Sequence, residues 1–466
     1  MTLSLNQLVL IKGAGMTEID YDLIVIGSGG AGLTTAVQAR ELGLTVAVLE
    51  KNSQVGGNTK RASSGMNAAE TTVQARNQIA DRMQDFYQET YQGGGKLNDP
   101  AMLKQFVTHA PLAIEWLTQH GLPLDDLTIT GGMSVKRTHR PASTAPVGAY
   151  LVKGLQKLAI EAGVQIITEA HVSKLLTATD AVCGVEYVDA KKVVHQFHSR
   201  AVVLATGGFG ASKELMRRYR PDLANYRTTN QPGATGDGLK LAQEVGAQLM
   251  QLDLVQVHPT VQQDQDHAFL IGEAVRGEGA ILVNEKGQRF VNELATRRVV
   301  SNAITALAKH SAYLIFDQEV RSRVKAIEFY DQIGLVRTGA TIEQLAEQLS
   351  LPDLPMAIHQ WNEAVRVQDD RQFSRTTGMS FPLSKAPFYA IHVAPAIHYT
   401  MGGIHVDPET RVLDANGQVI NGLYAAGEVT GGLHGNNRIG GNSIAETVVF
   451  GRQAALTIQR DLKVNQ

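Results

Sequence analysis

The chain has 466 residues, a formal net charge of -2, 43% hydrophobic and 19% charged residues, and one cysteine. This composition predicts a soluble globular protein of two closely joined domains, and the balanced charge argues against nucleic-acid binding. The single thiol, Cys183, is predicted to be buried and inert. It excludes an internal disulfide, a C-x-x-C-H haem attachment and a cysteine-ligated iron–sulfur cluster, so a protein of this sequence that moves electrons has to receive them from another molecule.

The N-terminal run, residues 1–16, lacks a basic region and an A-x-A-like cleavage site, so it makes a poor signal peptide. Nowhere does the sequence approach the roughly 20 consecutive apolar residues of a membrane-spanning helix. We therefore predict that residues 1–16 are a loose extension, with Met16 as an alternative start, and that the protein is cytoplasmic.

The first elements after this run predict a strand–helix–strand unit. Residues 22–26 (DLIVI) form a short apolar run typical of a buried parallel strand, and residues 45–49 (TVAVL) form a second one. Residues 31–42 between them have helical character. This order within about thirty residues, with a glycine-rich turn after the first strand, is typical of a right-handed βαβ nucleotide-binding unit.

The turn fits the pattern G-x-G-x-x-G through Gly27, Gly29 and Gly32. The first glycine permits the tight turn, the second lets the backbone approach a pyrophosphate, and the third allows close helix–strand packing. Glu50 closes the second strand at the distance where a carboxylate accepts bonds from the adenosine ribose hydroxyls. The sequence therefore predicts a dinucleotide at this end of the chain.

Later elements indicate an interrupted domain. Further strands are predicted at residues 164–168, 182–188 and 201–204. From about residue 251 the sequence becomes mixed in polarity, with several short elements and the helical pattern PMAIHQWNEAV. Strand-rich sequence returns at Tyr389 and ends in a helix. We interpret the middle stretch as an insertion into one α/β domain.

Small residues cluster again after the second strand, where backbone amides would line a flavin ring or its diphosphate. A nicotinamide-only enzyme does not need this second patch. A later strand, GLYAAGE, ends in Glu428, and in flavoproteins with two dinucleotide folds this acid lies near the ribityl hydroxyls. Together these elements predict FAD. The other residues assigned to FAD in these runs are Gly57, Asn58, Thr59, Ser64, Gly65, Met66 and Gly207.

Long strings occur in a fixed order between residues 21 and 459, among them GGNTKRASSGMNAAET, GGMSVKRTHRP, PGATGDGLKLA, VQVHPT, GEAVRGEGAILVNEKGQRFVNE, HYTMGGI and GEVTGGLHGNNRIGGNSIAE. Through these strings the sequence resembles the fumarate reductase and succinate dehydrogenase flavoprotein family, and above all the soluble flavocytochrome c-type fumarate reductases. The resemblance implies an α/β fold. A Rossmann-like FAD-binding domain over residues 17–250 and 388–466 is interrupted by an α+β capping domain over 251–387, with the active site between them. It also implies FAD contacts at Asp237, Ser443 and Ile444.

The chain departs from the family in two ways. Membrane-bound members attach FAD covalently through a histidine just after the second glycine patch, whereas the sequence here reads NTKRAS from Asn58, and no histidine precedes His109. FAD is therefore expected to be bound without a covalent link, and this is expected to lower its potential and so favour reduction of fumarate. The haem domain of the flavocytochromes is also missing, as the cysteine count requires.

Reduction of a four-carbon dicarboxylate needs groups that hold both carboxylates, together with a hydride and a proton. The resemblance assigns His398 and Arg438 to one carboxylate, and a planar guanidinium suits this because it bonds a carboxylate bidentately. His258 is assigned to the substrate on the capping side. Holding both carboxylates polarises the double bond, and reduced FAD then gives hydride from N5 to one alkene carbon.

The resemblance implies that Arg297 donates the proton and that Glu273 and Arg276 resupply it. An arginine pKa above ~12 makes this an unusual acid. Proton loss must be concerted with carbanion formation, and neighbouring cations must disfavour the charged form. Arg298 adjoins Arg297 and is the alternative assignment by one residue.

Other residues in the matched strings have two interpretations. His434 and Arg276 serve either the substrate site or a salt bridge that holds a loop. His139 and Arg140 are predicted to fix a loop near FAD, and Met133 is either an apolar wall of the pocket or a core residue.

Gly272 stands where many soluble fumarate reductases have a threonine before the relay glutamate. The missing hydroxyl is expected to weaken the grip on a substrate carboxylate by about 1 kcal/mol.

The sequence thus predicts a fumarate reductase that uses FAD and an external electron donor. One alternative keeps the fold but reduces urocanate or an acrylate-type acid, or oxidises aspartate. Another is a flavin electron-carrier subunit, which the cation set of Arg297, His398 and Arg438 argues against. Reduced free flavin, a partner reductase and a quinol-linked protein remain open as electron donors.

Overall fold

A computed structural model of the chain describes residues 9–12, 15–143 and 145–464, without the side chains of residues 9–18. Residues 1–8 and 13–14 of the predicted extension lie outside the described residues, and the rest of it enters a pair of antiparallel strands. The strands, in chain order, are β1 Val9–Lys12, β2 Gly15–Glu18, β3 Tyr21–Ile26, β4 Val46–Leu49, β5 Met66–Asn67, β6 Asp126–Thr128, β7 Thr138–Arg140, β8 Gln165–Ile167, β9 His171–Ala178, β10 Ala181–Val188, β11 Val194–Leu204, β12 Leu249–Met250, β13 Val255–Gln262, β14 Phe269–Leu270, β15 Ile281–Val283, β16 Ala312–Asp317, β17 Arg337–Gly339, β18 Phe388–Thr400, β19 Gly403–Ile404, β20 Arg411–Leu413 and β21 Val419–Ala425.

The helices alternate with these strands. In chain order they are α1 Gly30–Glu41, α2 Thr72–Arg76, α3 Met83–Gly93, α4 Pro100–Gln119, α5 Val147–Glu161, α6 Lys213–Tyr219, α7 Asp237–Glu244, α8 Glu273–Gly277, α9 Arg297–Thr305, α10 Gln318–Arg323, α11 Ala326–Gln332, α12 Ile342–Leu349, α13 Leu354–Val367 and α14 Asn442–Val464. In the part of the chain that is described, no helix combines the length and apolar character of a membrane span.

The chain divides into two compact units. The first unit comprises Met1–Pro221, Asn230–Val255 and Tyr399–Gln466, and the second comprises Asp222–Thr229 and Gln256–His398. The second unit is therefore inserted, in chain order, between parts of the first.

In the first unit, five strands run parallel in the order β8-β4-β3-β11-β21. The predicted βαβ unit is β3, α1 and β4, with Ile24 of β3 paired to Ala47 of β4. The apolar run Leu23 to Ile26 is buried because α1 covers it, and α1 in turn packs against α5 and α14. This packing fixes the glycine turn at the carboxyl end of β3, the edge where open parallel sheets bind nucleotides.

The second unit contains a sheet in the order β14-β13-β18-β16-β15, with β17 also paired to β18. Leu282 of β15, Ile315 of β16 and Ile391 of β18 are fully buried and share one core with Trp361 of α13. Such a core, built from one sheet and the helices that follow its strands, holds the unit together.

The boundaries of the inserted unit differ from the predicted 251 and 387. Strand β18 continues from Phe388 and pairs with β16 along six residues, so the unit extends to His398. Residues 222–229 also join it, because the amide of Thr229 donates to the carbonyl of Ile397 over 2.9 Å. His398 was expected in the later part of the FAD-binding domain and lies instead in the inserted unit.

Candidate active site

The turn between β3 and α1 has a backbone that only glycine allows at two positions. Gly27 has a φ of 102°, and a Cβ there would lie 2.4 Å from the carbonyl oxygen of Ala205. A Cβ on Gly32 would lie 2.0 Å from the carbonyl oxygen of Gly27. At Gly29 and Gly57, in contrast, the nearest atoms to a Cβ would be 3.7 and 3.9 Å away, which are ordinary contacts, so the backbone here is not crowded. This cradle at the N-terminus of α1 fits a diphosphate.

Glu50 is buried at the end of β4, and both its carboxylate oxygens already accept bonds from protein donors. One oxygen accepts from the amide (3.1 Å) and hydroxyl (2.5 Å) of Ser28, and the other from the amide and side chain of Asn52, both at 2.8 Å. A carboxylate offers about four lone-pair sites. A ribose hydroxyl can therefore bind Glu50 only by replacing one of these donors, and the Ser28 hydroxyl is the one that can rotate away.

Glu428 follows β21 in the first unit and is held by Thr400 and Asn58. Its Oε1 accepts from the amide of Thr400 at 3.1 Å, and its Oε2 accepts from the side chain of Asn58 at 3.3 Å. Burial raises the pKa of Glu428 to about 7, against the opposing effect of these two bonds. This carboxyl is consequently an unusually strong base for a glutamate in this unit.

The remaining residues assigned to FAD lie in five places in the first unit. The Thr59 hydroxyl accepts from the amide of Gly30, at the first turn of α1, over 2.9 Å. Asp237 begins α7 and binds Lys51 at 2.6 Å; burial opposes its ionisation, yet the bonds from Lys51 and Thr235 lower its pKa. The others lie on or beside β5, after β11 and at the start of α14, and they are Ser64, Gly65, Met66, Gly207, Ser443 and Ile444.

His139 pairs with Met66 across β5 and β7 and is fully buried. Burial lowers its pKa to about 4, so the ring is neutral at pH 7. Its Nδ1 lies 2.9 Å from the carbonyl of Arg137 and donates to it, which leaves Nε2 to accept from the hydroxyl of Thr71 at 2.8 Å. These bonds are consistent with a residue that fixes a loop. Arg140 likewise forms a salt bridge within the loop region, with Asp126.

Arg438 is 3% exposed, and its guanidinium lies over the ring of Tyr399 at 4.6 Å. The Tyr399 hydroxyl donates to Glu446 at 2.5 Å, and Nε2 of His434 lies 3.0 Å from the same carboxylate oxygen. Burial, with the nearby Glu446 charge, raises the pKa of Tyr399, so it stays a donor. His434 thus holds this cluster through Glu446, as its loop-holding interpretation requires.

Met133, elsewhere in the unit, is buried and its sulfur accepts from an arginine.

His258 and His398 come together in the second unit, on the neighbouring strands β13 and β18. Their ring centroids are 5.4 Å apart at 65°. His258 is fully buried, and Nδ1 of His398 lies 2.8 Å from the hydroxyl of Thr229. Two imidazoles at this spacing can both donate to one small anionic ligand.

Arg297, Glu273 and Arg276 form a chain in the same unit. Nε of Arg297 donates to Oε1 of Glu273 at 2.7 Å, and Nη2 of Arg276 lies 3.7 Å from the same oxygen. Burial lowers the pKa of Arg276; Glu273 raises it, and the charges of Arg297 and Arg375 lower it again. Arg298 is exposed, whereas the side chain of Arg297 is only 12% exposed. The geometry therefore favours Arg297 over its neighbour.

With this geometry established, three comparisons place the chain. Residues 22–444 match the family model described as FAD binding domain. The chain belongs to the FAD binding domain family. The "NADH:fumarate oxidoreductase" of Klebsiella pneumoniae (strain 342) is 45% identical over 93% of this chain and 47% of its own length. The chain therefore spans about half of that relative.

The "Fumarate reductase (cytochrome)" of Shewanella frigidimarina is 39% identical over 93% of this chain and 76% of its own. The open conformation of a flavocytochrome c3 fumarate reductase superposes with a TM-score of 0.83 and 37% identity, covering 94% of this chain and 78% of that one. Within the FAD binding domain family, the chain thus belongs to the fumarate reductase flavoproteins. The resemblance and the α/β fold class predicted from the sequence are confirmed.

FAD is the cofactor of the family, and the glycine cradle at α1 fits it. Gly207 after β11, with a φ of 74° and nothing within 4 Å of a Cβ, is a second stretch of bare backbone in the same unit.

Two residues near the proposed proton donor, Gln256 and Arg375, were not predicted from the sequence. Gln256 accepts from Nη1 of Arg297 at 2.8 Å, and its position two residues before His258 on β13 was the available signal, since alternate residues of a strand share a face.

Proposed function

We propose that this protein is an FAD-dependent fumarate reductase that forms succinate with electrons from an external donor. The observation that carries the proposal is the chain Arg297–Glu273–Arg276, with its 2.7 and 3.7 Å separations. An electron carrier has no use for two arginines bridged by one carboxylate in the same unit as a pair of adjacent histidines. Membership of the fumarate reductase flavoproteins supports the same reaction.

His258 and His398 of the second unit, and Arg438 of the first, are assigned to the substrate carboxylates. The imidazoles donate single bonds, and the guanidinium offers a planar fork that binds a carboxylate at two points. Tyr399 beneath the Arg438 guanidinium holds that fork in one plane. When bound and reduced, FAD supplies the hydride to one alkene carbon.

Arg297 is assigned the proton for the other carbon. Its Nε is bonded to Glu273 and its Nη1 to Gln256, so Nη2 is the nitrogen we assign to donation. The neutral Arg297 guanidine is reprotonated by Glu273 once that carboxylate has itself received a proton, and the proton reaches Glu273 from Arg276 across their 3.7 Å separation. Burial of Arg276 favours this last transfer, because a buried guanidinium holds its proton less tightly.

FAD is further proposed to be bound without a covalent link. No histidine lies between Asn58 and Ser63, the stretch that contains the short helix Thr59–Arg61. Precipitation of the purified protein with acid is expected to release all the flavin into the supernatant. Flavin that stays with the pellet and the denatured chain would contradict this. The electron donor and the predicted location in the cytoplasm stay predictions.

Reduction of another unsaturated acid is the second candidate function, and Gly272 is the observation that favours it. Gly272 caps the start of α8, and without a hydroxyl there one expected donor to a substrate carboxylate is missing. Urocanate and acrylate each carry one carboxylate, so that loss matters less to them than to fumarate.

The test is anaerobic oxidation of dithionite-reduced methyl viologen by the FAD-loaded protein, with fumarate, urocanate and acrylate compared side by side. We expect the highest kcat/KM with fumarate. Turnover of only urocanate or acrylate would replace the substrate and keep the relay. No turnover of any of the three, in protein that holds FAD, would overturn the proposal in favour of an electron carrier or an oxidase of aspartate type.

A further inference from the structure

Arg375 lies beside the proposed relay in the second unit and is only 1% exposed. A guanidinium has five N–H groups, and each one of Arg375 has an acceptor. The acceptors, at 2.7 to 3.0 Å, are the carbonyls of Thr377, Ala280, Arg276 and Gly378 and the carboxylate of Glu293. A side chain fixed by five bonds in the protein interior has a single orientation.

The surroundings of Arg375 form a charge-balanced cluster around one aromatic ring. Trp361 contacts two guanidinium groups, with Arg375 at 4.5 Å and Arg289 at 4.7 Å from its ring centre. Arg289 pairs with both Glu293 and Asp370 at 2.9 Å. Buried ion pairs are weak sources of stability, since apolar residues of the same volume often stabilise a fold as well. A cluster of this kind therefore calls for a role beyond stability.

Arg375 and Glu293 hold Arg276 at both ends. The carbonyl of Arg276 accepts from Nη2 of Arg375 at 2.7 Å, and Nη1 of Arg276 donates to the carbonyl of Glu293. Helix α8, which carries Arg276 and Glu273, has only five residues, and so short a helix is not stable by itself. The distance between Arg276 and Glu273 thus depends on groups outside α8.

We propose that Arg375 is a positioning residue for the proton relay. It holds Arg276 in place relative to Glu273, and it keeps a positive charge next to Arg276. This inference rests on the proposed function. The fixed charge favours transfer of a proton from Arg276 to Glu273, since a neighbouring cation disfavours the charged form of a guanidinium. The Glu293 carboxylate has the opposite effect on the pKa of Arg276. The lowering of that pKa by Arg375 therefore depends on the position of the Arg375 guanidinium.

The experiment compares Arg375→Gln, Arg375→Lys and Arg289→Gln with the wild type in the methyl viologen assay. Arg289→Gln is the matched control, because Arg289 shares Trp361 and Glu293 with Arg375 but its side-chain bonds go to Glu293 and Asp370 rather than to Arg276. FAD content and thermal unfolding are measured for each variant. The kinetic readouts are kcat, KM for fumarate, and the solvent deuterium isotope effect on kcat.

We expect Arg375→Gln to lower kcat about tenfold or more, with KM for fumarate within about twofold and a larger solvent isotope effect, because proton transfer becomes limiting. Arg375→Lys, which keeps the charge but not the fork, should recover part of kcat. Arg289→Gln should lose thermal stability yet keep the wild-type isotope effect. If Arg375→Gln does not fold, Arg375→Lys decides by its kcat and its solvent isotope effect.

Wild-type kcat and isotope effect in the folded Arg375 variants would overturn the inference. Parallel losses in the Arg375→Gln and Arg289→Gln variants, following FAD content with no change in isotope effect, would also overturn it and make the cluster purely structural. A wild-type protein that does not reduce fumarate would instead refute the proposed function, so the two failures are distinct.

Discussion

Nε of Arg297 lies 2.7 Å from Oε1 of Glu273, whereas Arg298, the next residue on α9, is exposed. The helix begins at Arg297, and Thr296 caps it through the amide of Val299. Successive helical residues point about 100° apart, so only one of the two arginines can reach Glu273. This difference gives a sharp pair of variants.

Arg297→Ala is expected to reduce kcat for fumarate by about 10² to 10⁴, the usual contribution of a positioned proton donor. Arg298→Ala, at an exposed neighbouring position, should stay within about twofold of wild type. Both are measured in the methyl viologen assay with FAD content as control. A larger loss of kcat in Arg298→Ala than in Arg297→Ala would show that Arg298, and not Arg297, is the proton donor.

Arg438→Lys tests whether the guanidinium of Arg438 binds a substrate carboxylate at two points. Lysine keeps the charge but cannot bond a carboxylate at two points, so KM for fumarate should rise about tenfold, as expected for loss of one charge-assisted bond. Tyr399→Phe is the comparison: it keeps the ring under Arg438 and removes the bond to Glu446. That variant should lose about 1 to 3 kcal/mol of stability in thermal unfolding with KM unchanged. Equal KM values in wild type and the lysine variant would remove Arg438 from the substrate.

Some of this molecule could be predicted from its sequence because short-range chemistry determines it. The strand–turn–helix at β3 and α1 follows from an apolar run and three glycines, and α13, predicted from residues 355–365, is observed as Leu354–Val367. The second unit extends beyond the predicted residue 387 because β18 is one thirteen-residue strand, whereas the sequence composition changes at the start of that strand. Arg375 escaped notice because its partner Arg276 is 99 positions away, and no local pattern marks such a bond.

Glu428 should make the stability of the FAD-free protein depend on pH. Its pKa is about 7 in the folded state, above the ordinary value of 4.5. Between those values the folded state binds more protons than the unfolded state, so stability is full below pH 4.5 and falls as pH rises to 7. Glu428→Gln should therefore unfold at a higher temperature than wild type at pH 8, with the difference shrinking at pH 5. A difference that does not change with pH would rule out Glu428 as its source.

Gly272→Thr should supply the hydroxyl that the resemblance to soluble fumarate reductases leads us to expect at this position. Gly272 has a φ of -60°, and a Cβ there would lie 3.6 Å from the hydroxyl of Tyr330, an ordinary contact. A hydroxyl bond worth about 1 kcal/mol should lower KM for fumarate about fivefold. Gly272→Ala is the control for the backbone change and should leave KM unaltered. An identical KM in all three proteins would show that this position does not meet the substrate.

The most direct test of fumarate reduction needs no electron donor in the assay. The enzyme-bound flavin is reduced stoichiometrically under anaerobic conditions, excess reductant is removed, and fumarate is mixed in by stopped flow. We predict rapid return of the oxidised flavin spectrum, about one succinate per flavin, and at least a hundredfold slower return in Arg297→Ala. Flavin that stays reduced in the presence of fumarate would contradict the account at its centre.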